Sequence, residues 1–324
     1  MSNIFELAEP DGPMRQSRRK VIISCGVTGA VHTPSMSAFL PVSCEAIAAQ
    51  AIEAAHAGAA ILRLHARDVE GRPTVEPGAL RALSSRIAAE TDAILNIATS
   101  ARAPLDERFA FPMSVRPELC SVDMGMMNLA FHRASVGVAQ WSHAWERSYV
   151  EGSEAAVVGN SFADIRQVLT QLGGGDVRFE YVCHDLGHLD TLAYFVDEGL
   201  ARAPLFIQCV LGALGGLSAS PENLFAMRAA ADRLFGRDNC EFSAVGVGRR
   251  HMPLAAMTAI LGGHVRVGLE DSLLLGRELP ASSSAAQVLK IRRTLEDLSL
   301  DVATPAEARE ILKTKGAHKV NFDA

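Results

Sequence analysis

AILRLHAR, residues 60 to 67, and HVRVGLED, residues 264 to 271, are two apolar runs that both turn charged at their carboxyl ends. His65 and Arg67 close the first, while Arg266, Glu270 and Asp271 interrupt the second. Continuous apolar runs of this length are what a parallel sheet buries on both faces. Charges collected at the carboxyl ends of such strands are what an α/β barrel presents at its functional mouth. The same pattern recurs along the chain. VIISCGV (21 to 27), AILNIAT (93 to 99), LCSVDMGMMN (119 to 128), RFEYVCHD (178 to 185), LFIQCVLG (205 to 212) and CEFSAVGVG (240 to 248) bring the number of strands to eight.

Helical spacing alternates with these runs. CEAIAAQAIEAAHAG (44 to 58) stops at Gly58, GALRALSSRIAAE (78 to 90) follows the second run, and SPENLFAMRAAADRLFG (220 to 236) opens on a capping Ser220. Residues 162 to 172, 188 to 199, 252 to 263 and 283 to 300 read the same way. The alternation predicts a single (β/α)8 TIM barrel over residues 20 to 300, of about the usual 250-residue size. An amino-terminal extension (1 to 19) precedes it, and a helix and tail (301 to 324) follow it, with TPAEAREIL capped at Thr304. Residues 129 to 159, with Trp141, Trp145 and Tyr149, lack clean periodicity and read as an insertion near the barrel mouth that ends in a short helix. The alternative, a doubly wound open sheet, calls for a G-x-G-x-x-G turn after its first strand. GVTGAVHTP stands there instead.

Composition narrows the functional classes. The chain has 324 residues, 48% of them hydrophobic and 21% charged, which is globular composition. A net charge of -6 without a long basic run argues against a nucleic-acid partner. No apolar stretch reaches the roughly 18 residues of a membrane span, and the polar start lacks a signal-peptide core, so no membrane partner and a cytoplasmic location are expected. Six cysteines without CxxC spacing read as reduced core thiols.

Polar residues at carboxyl strand ends are the site candidates. They are Thr28 and His32; His65, Arg67 and Asp68; Thr99 and Ser100; Asn128; Glu180, His184 and Asp185; Gln208; Ser243 and Arg249; and Arg266, Glu270 and Asp271. Alternation puts Arg63, His65 and Arg67 on one side of their strand, toward the barrel interior. Arg249 and Arg250, after GVG and before a helix, are placed to meet an anion at a helix amino terminus.

Taken together, CGVTGAVHTPSMSAFLP, LRLHARDVEGRPT, PELCSVDMG, FEYVCHDLGHL and GVGRRHMPLAAMTAILGGHVRVGLED resemble the β-keto acid cleavage enzyme family, typified by 3-keto-5-aminohexanoate cleavage enzyme. The resemblance spans nearly the whole chain. It implies a zinc-dependent barrel, usually oligomeric, that exchanges carbon fragments between a β-keto acid and acetyl-CoA to give acetoacetate and a new acyl-CoA. Asp271 then matches the catalytic base, Arg266 its partner or a substrate contact, and Glu180 a further active-site position. His65 and Glu270 match two zinc ligands.

The chain departs from the family at three places. Arg63 stands where the first histidine of a His-x-His pair is expected, and a guanidinium cannot coordinate zinc. The expectation is therefore either zinc held by His65, Glu270 and a rescuing group such as His32, His184 or His264, or a metal-free centre in which Arg63 supplies the charge. A Ser-Thr-Gly-Gly turn is replaced by Ala98-Thr99-Ser100-Ala101, leaving Thr99 and Ser100, with Arg63 and Arg67, as substrate contacts. Val31 replaces an acid, which disfavours an amino-bearing substrate.

Each reading has a plainer competitor. His65 would also suit a hydrogen-bonded core, and Glu270 and Asp271 a structural ion network with Arg266. Asp185 would suit a helix cap, Arg249 and Arg250 a solvated pair, and Met124, Met126 and Met127 packing. A non-catalytic binding paralogue is the reading outside enzymology.

Overall fold

A computed structural model describes residues 20 to 99, 102 to 174 and 176 to 322. The expected extension at 1 to 19 and the candidate Ser100 lie outside the described residues. Eight parallel strands close into a barrel: β1 (Ile23–Gly26), β2 (Ile61–Leu64), β3 (Ile94–Ile97), β4 (Leu119–Asp123), β5 (Arg178–Cys183), β6 (Leu205–Leu211), β7 (Cys240–Gly246) and β8 (His264–Val267). Each pairs with its sequence neighbours and β8 closes on β1, with Ser24 opposite Arg266. This is the TIM barrel that the charged strand ends predicted.

The surrounding helices start and stop where their caps direct. Ser43 caps α1 (Cys44–Ala57) by accepting the Ala46 N–H, and Gly58 ends it at φ 118°. α2 (Pro77–Glu90) precedes α3 (Leu105–Val115), a helix that periodicity alone did not single out, because Pro104 and Pro112 break its pattern. α4 (Ala144–Glu151) lies within the 129–159 segment. α5 (Phe162–Gly173), α6 (Leu186–Asp197), α7 (Pro221–Phe235), α8 (His251–Ile260) and α9 (Ser284–Asp297) complete the ring. Asp185 accepts the His188 N–H as the cap of α6, and Ser220 caps α7.

Two large apolar clusters, between the helices and the outer faces of the strands, hold the ring in place. A third plugs the amino-terminal end of the barrel, where α10 (Pro305–Leu312) sets Ala308 and Leu312 against Ile22, Ile61, Ile94, Leu119 and Phe206. Arg309 fastens this plug to Glu118 and Asp92. His264 belongs to this closed end. It accepts the Ile22 N–H and faces Glu241 at 3.0 Å, so its expected part in rescuing a metal site is corrected: it starts β8, whereas the candidate site lies past the end of that strand. Among the described residues no helix is long and apolar enough to cross a membrane.

Above this plug the barrel interior is polar. Ser24, Arg63, Asn96, Ser121, Glu180, Gln208, Ser243 and Arg266 are all buried. Such a layer departs from the bulky branched residues that usually fill these barrels, and it puts charge at the floor of the open end.

Candidate active site

The floor is an ion network spanning the barrel. The Arg63 guanidinium donates through Nη1 to Glu180 Oε2 at 2.5 Å, although β2 and β5 are separated by two strands, so the bond crosses the interior. Its Nε donates to Glu270 Oε1 at 3.0 Å. The same oxygen lies 3.4 Å from Arg266 Nη2 and 3.5 Å from His65 Nε2. Arg266 holds Asp271 with both Nε, at 2.9 Å, and Nη2. His65, Arg63, Arg266, Glu270 and Asp271 all line one cavity of about 390 Å³, with Glu180 beneath them.

The RVGLED stretch makes this possible through one glycine. Gly268 has φ 134°, and a Cβ there would overlap the Gly26 carbonyl. The chain therefore turns directly off β8, and the Glu270 N–H donates to Gly26 O at 3.0 Å. Gly26 is equally tight, because a Cβ would stand 2.8 Å from Glu270 Oε2. Two small residues thus set both acids at the floor of the open end.

Burial opposes ionisation of Glu270, but His65, Arg63 and Arg266 outweigh it and hold its carboxyl well below the usual carboxylate range. Burial likewise works against the charge on Arg266, and Asp271 and Glu270 overcome it, raising that guanidinium above its ordinary value. Glu270 and Arg266 are therefore held in their charged forms.

Apolar walls rise from this floor, among them Val31, Met127, Val182 and Val210. Residues 129 to 159 cover one side, with Leu129, Phe131 and Arg133 in the lining. Tyr149 donates to Ala30 O, Trp145 donates to Glu70 O, and Glu146 accepts from Ser35 N–H and Oγ, which ties this segment to the loops after β1 and β2.

Two lining residues form a pair on the β4 and β5 side. Asp123 ends β4, and its Oδ1 lies 3.7 Å from His184 Nε2. His184 was a sequence candidate; Asp123 was not, because it sits inside the VDMG run among packing methionines. His32 donates through Nδ1 to Leu269 O at 2.8 Å, and burial lowers its pKa.

Arg67 does not reach the cavity. β2 ends at Leu64, and Ala66–Arg67 pairs instead with Pro73–Thr74 in an antiparallel hairpin, so the alternation that orients Arg63 and His65 no longer applies. Its guanidinium donates to Thr28 Oγ1 and to the carbonyls of Thr28, Gly29, His32 and Gly71. It holds the loops that shape the mouth. Thr99 is also turned away, donating to Ser121 O at 2.7 Å. Arg249 and Arg250 are exposed at the amino end of α8, outside the lining.

The donor set does not suit zinc. A catalytic zinc takes three neutral or anionic protein ligands. Here only His65 and Glu270 of the expected ligands come together, and two guanidinium groups, Arg63 and Arg266, are directed at Glu270 Oε1 where a third ligand would be needed. Among the described residues no group of three histidine, cysteine or acidic side chains is placed to hold a metal.

A sequence profile for "beta-keto acid cleavage enzyme" matches residues 20–314. The chain belongs to that family. It is 48% identical over 309 residues to 3,5-dioxohexanoate:acetyl-CoA acetone transferase of Paraburkholderia graminis, covering 94% of this chain and 99% of the relative. It is 32% identical to 3-dehydrocarnitine:acetyl-CoA trimethylamine transferase of Rhizobium meliloti, covering 91% and 97%. The solved apo structure of ObcA shares the fold with a TM-score of 0.68 at 19% identity, covering 86% of this chain and 66% of that one. Members of the family are enzymes, and the relatives of this β-keto acid cleavage family member are named as acetyl-CoA-dependent transferases.

One consequence concerns acid stability. His251, the first residue of α8, is buried, and burial pulls its pKa from 6.5 down to about 4 against the attraction of Asp271. The unfolded chain takes up a proton below pH 6.5 that the folded chain refuses until about pH 4. Stability from this group is therefore complete above pH 6.5 and lost as pH falls toward 4, by up to about 3 kcal/mol. Melting temperatures between pH 7.5 and 4.5 should fall less steeply in His251→Phe than in the wild type.

Proposed function

We propose that this enzyme exchanges acyl groups between an uncharged-tailed β-keto acid and acetyl-CoA, giving acetoacetate and a new acyl-CoA. The supporting observation is the cavity itself, in which a base held in fixed orientation, Asp271, shares a floor with two buried guanidinium groups under apolar walls. In balanced form, R–CO–CH2–COO⁻ and CH3–CO–S–CoA become R–CO–S–CoA and CH3–CO–CH2–COO⁻. The C2–C3 bond of the keto acid and the acetyl–sulfur bond break, while an acetyl–C2 bond and an acyl–sulfur bond form. Asp271 takes the C2 proton, which the adjacent ketone acidifies, and returns it after cleavage. Arg266 orients that carboxylate through two hydrogen bonds. Glu180 acts by fixing Arg63.

The tail of the keto acid lies along the apolar walls, with His184 and Asp123 offering one polar contact to an oxygen beyond the β-keto group. A 3,5-dioxo acid fits that pattern, in keeping with the 48% identical relative. Arg133, on the rim, and Arg249 and Arg250 supply positive charge for the phosphates of coenzyme A. The reading carries with it a cytoplasmic homo-oligomer, in keeping with six free cysteines. The zinc expectation from the family resemblance is not carried into these steps, because the donor set does not suit the ion.

Incubation with acetyl-CoA and a panel of β-keto acids, followed by acetoacetate assay, tests the reading. Turnover is expected with neutral and 3,5-dioxo tails, and its absence across the panel would favour a binding paralogue. Val31 lines the cavity where the resemblance places an acid. Val31→Glu should move relative kcat/KM toward an amino-bearing β-keto acid by about 10-fold or more, through a new counter-charge in an apolar wall.

A further inference from the structure

We propose that Arg63 is the electrophile of this centre and that the enzyme turns over without a bound metal, the guanidinium stabilising the negative charge that develops on the β-keto oxygen. The inference rests on the acyl-exchange reading above. Cleaving C2 from C3 needs charge stabilisation at the ketone oxygen both when C2 loses its proton and when the thiolate adds to C3. A divalent ion would supply it. Here the position that the resemblance gives to a metal ligand holds a permanent cation, and neighbouring groups fix it.

Three observations carry the assignment. First, Arg63 is 3% exposed yet lines the cavity, so its charge is felt at low dielectric by anything bound there. Second, it is held from two sides, by Glu180 Oε2 across the barrel and by Glu270 Oε1 from the β8 turn, which prevents the side chain from following the substrate or retreating into solvent. A fixed donor costs no reorganisation as charge develops. Third, Arg266 brings a second guanidinium to the same floor, and its Nη1 is buried without a hydrogen-bond partner among the described residues. Such a donor has a use if it meets a substrate oxygen.

The proton and electron pair are accounted for within the chain. Asp271 accepts the C2 proton, the C–H electron pair moves into the carbonyl, and the enolate oxygen comes to rest against Arg63. The enolate carbon then attacks the thioester and expels the thiolate, which adds to C3; the C2–C3 bond breaks with its electron pair going to C2, and C2 takes back the proton from Asp271. No oxidant, reductant or metal enters the balance.

Metal analysis of the purified protein, together with turnover in excess chelator, tests the proposal. The expected result is zinc far below one per chain and unchanged turnover. One zinc per chain, lost in His65→Ala, would overturn it. Arg63→Lys keeps a cation but not the planar fork, and it should lower kcat about 100-fold or more with KM changed only a few-fold. A kcat within a few-fold of wild type would overturn the electrophile role and leave Arg63 a strut. Arg63→His should gain zinc affinity by titration calorimetry, a readout independent of activity.

A binding assay separates failure of this proposal from failure of the acyl-exchange reading. Acetylacetone forms a stable enolate with its own ultraviolet band. In chelator, wild-type protein should bind it and raise the enolate fraction, whereas Arg63→Lys should bind it about 10-fold more weakly. Equal binding overturns the electrophile whether or not any keto acid turns over. Tight binding without turnover leaves the electrophile standing and removes the exchange reaction.

Discussion

Replacing Asp271 with asparagine is expected to lower kcat by about 10³-fold, the middle of the range for removing a positioned base. Asparagine keeps the shape of the side chain and one oxygen for Arg266, so the floor stays in place while the proton acceptor is lost. The bidentate geometry from Nε and Nη2 explains why position is preserved: two parallel hydrogen bonds fix the plane of the acid, and one of them survives in the variant. KM for acetyl-CoA should change little, because Asp271 sits on the floor and the cationic groups offered to coenzyme A sit on the rim. The more direct measurement is hydrogen–deuterium exchange at C2 of a bound keto acid in the absence of acetyl-CoA. Wild-type protein should catalyse this exchange, and Asp271→Asn should not. If exchange persists in the variant, another group is the base, and the mechanism built on this carboxylate falls.

Much of this arrangement is legible in the chain, and the parts that are not fail for physical reasons. Strand alternation correctly sends Arg63 and His65 to the interior because β2 runs in register with β1 and β3 through Leu64. It misplaces Arg67 because the chain leaves the sheet two residues earlier and re-pairs in a hairpin, where the period-two rule starts afresh. Arg309 and His264 show the converse limit. Both carry strong charge or chemistry, and both serve the closed end of the barrel, which only the direction of each strand reveals. Asp123 is not legible in the sequence, since one acid among Val122, Met124 and Met127 carries no periodic signal, and it gains meaning only from His184, one residue past the end of the neighbouring strand β5. α3 went unread because proline at 104 and 112 reads as punctuation, although one helical proline is tolerated where neighbouring packing supports the turn. The charged end of HVRVGLED placed both acids after β8 and the family's likeness assigned their roles, whereas no sequence spacing links Arg63 to Glu180, 117 residues away across the barrel.

That cross-barrel bond should also be the largest single electrostatic contribution to stability. Glu180 is fully buried, and its Oε2 receives Arg63 Nη1 while Oε1 has no hydrogen-bond partner among the described residues. Glu180→Leu removes one charge of the pair and leaves the Arg63 guanidinium with Glu270, its Nη1 facing an apolar side chain. Breaking a buried pair in this one-sided way costs about 3 to 5 kcal/mol. For a chain of 324 residues each kcal/mol moves the melting temperature by roughly 1.5 °C, so a fall of about 4 to 7 °C is expected. The partner variant Arg63→Met should be destabilising for the same reason, because it strands Glu180. Combining them tests the coupling: Glu180→Leu with Arg63→Met removes both charges, and the double variant should be more stable than either single one, approaching wild type if packing is preserved. Glu270 still receives Arg266 and His65 in that double variant, so the rest of the floor keeps its partners. If the two effects simply add, the pair is not coupled in the folded protein, and Arg63 would no longer count as a cation fixed from both sides of the barrel.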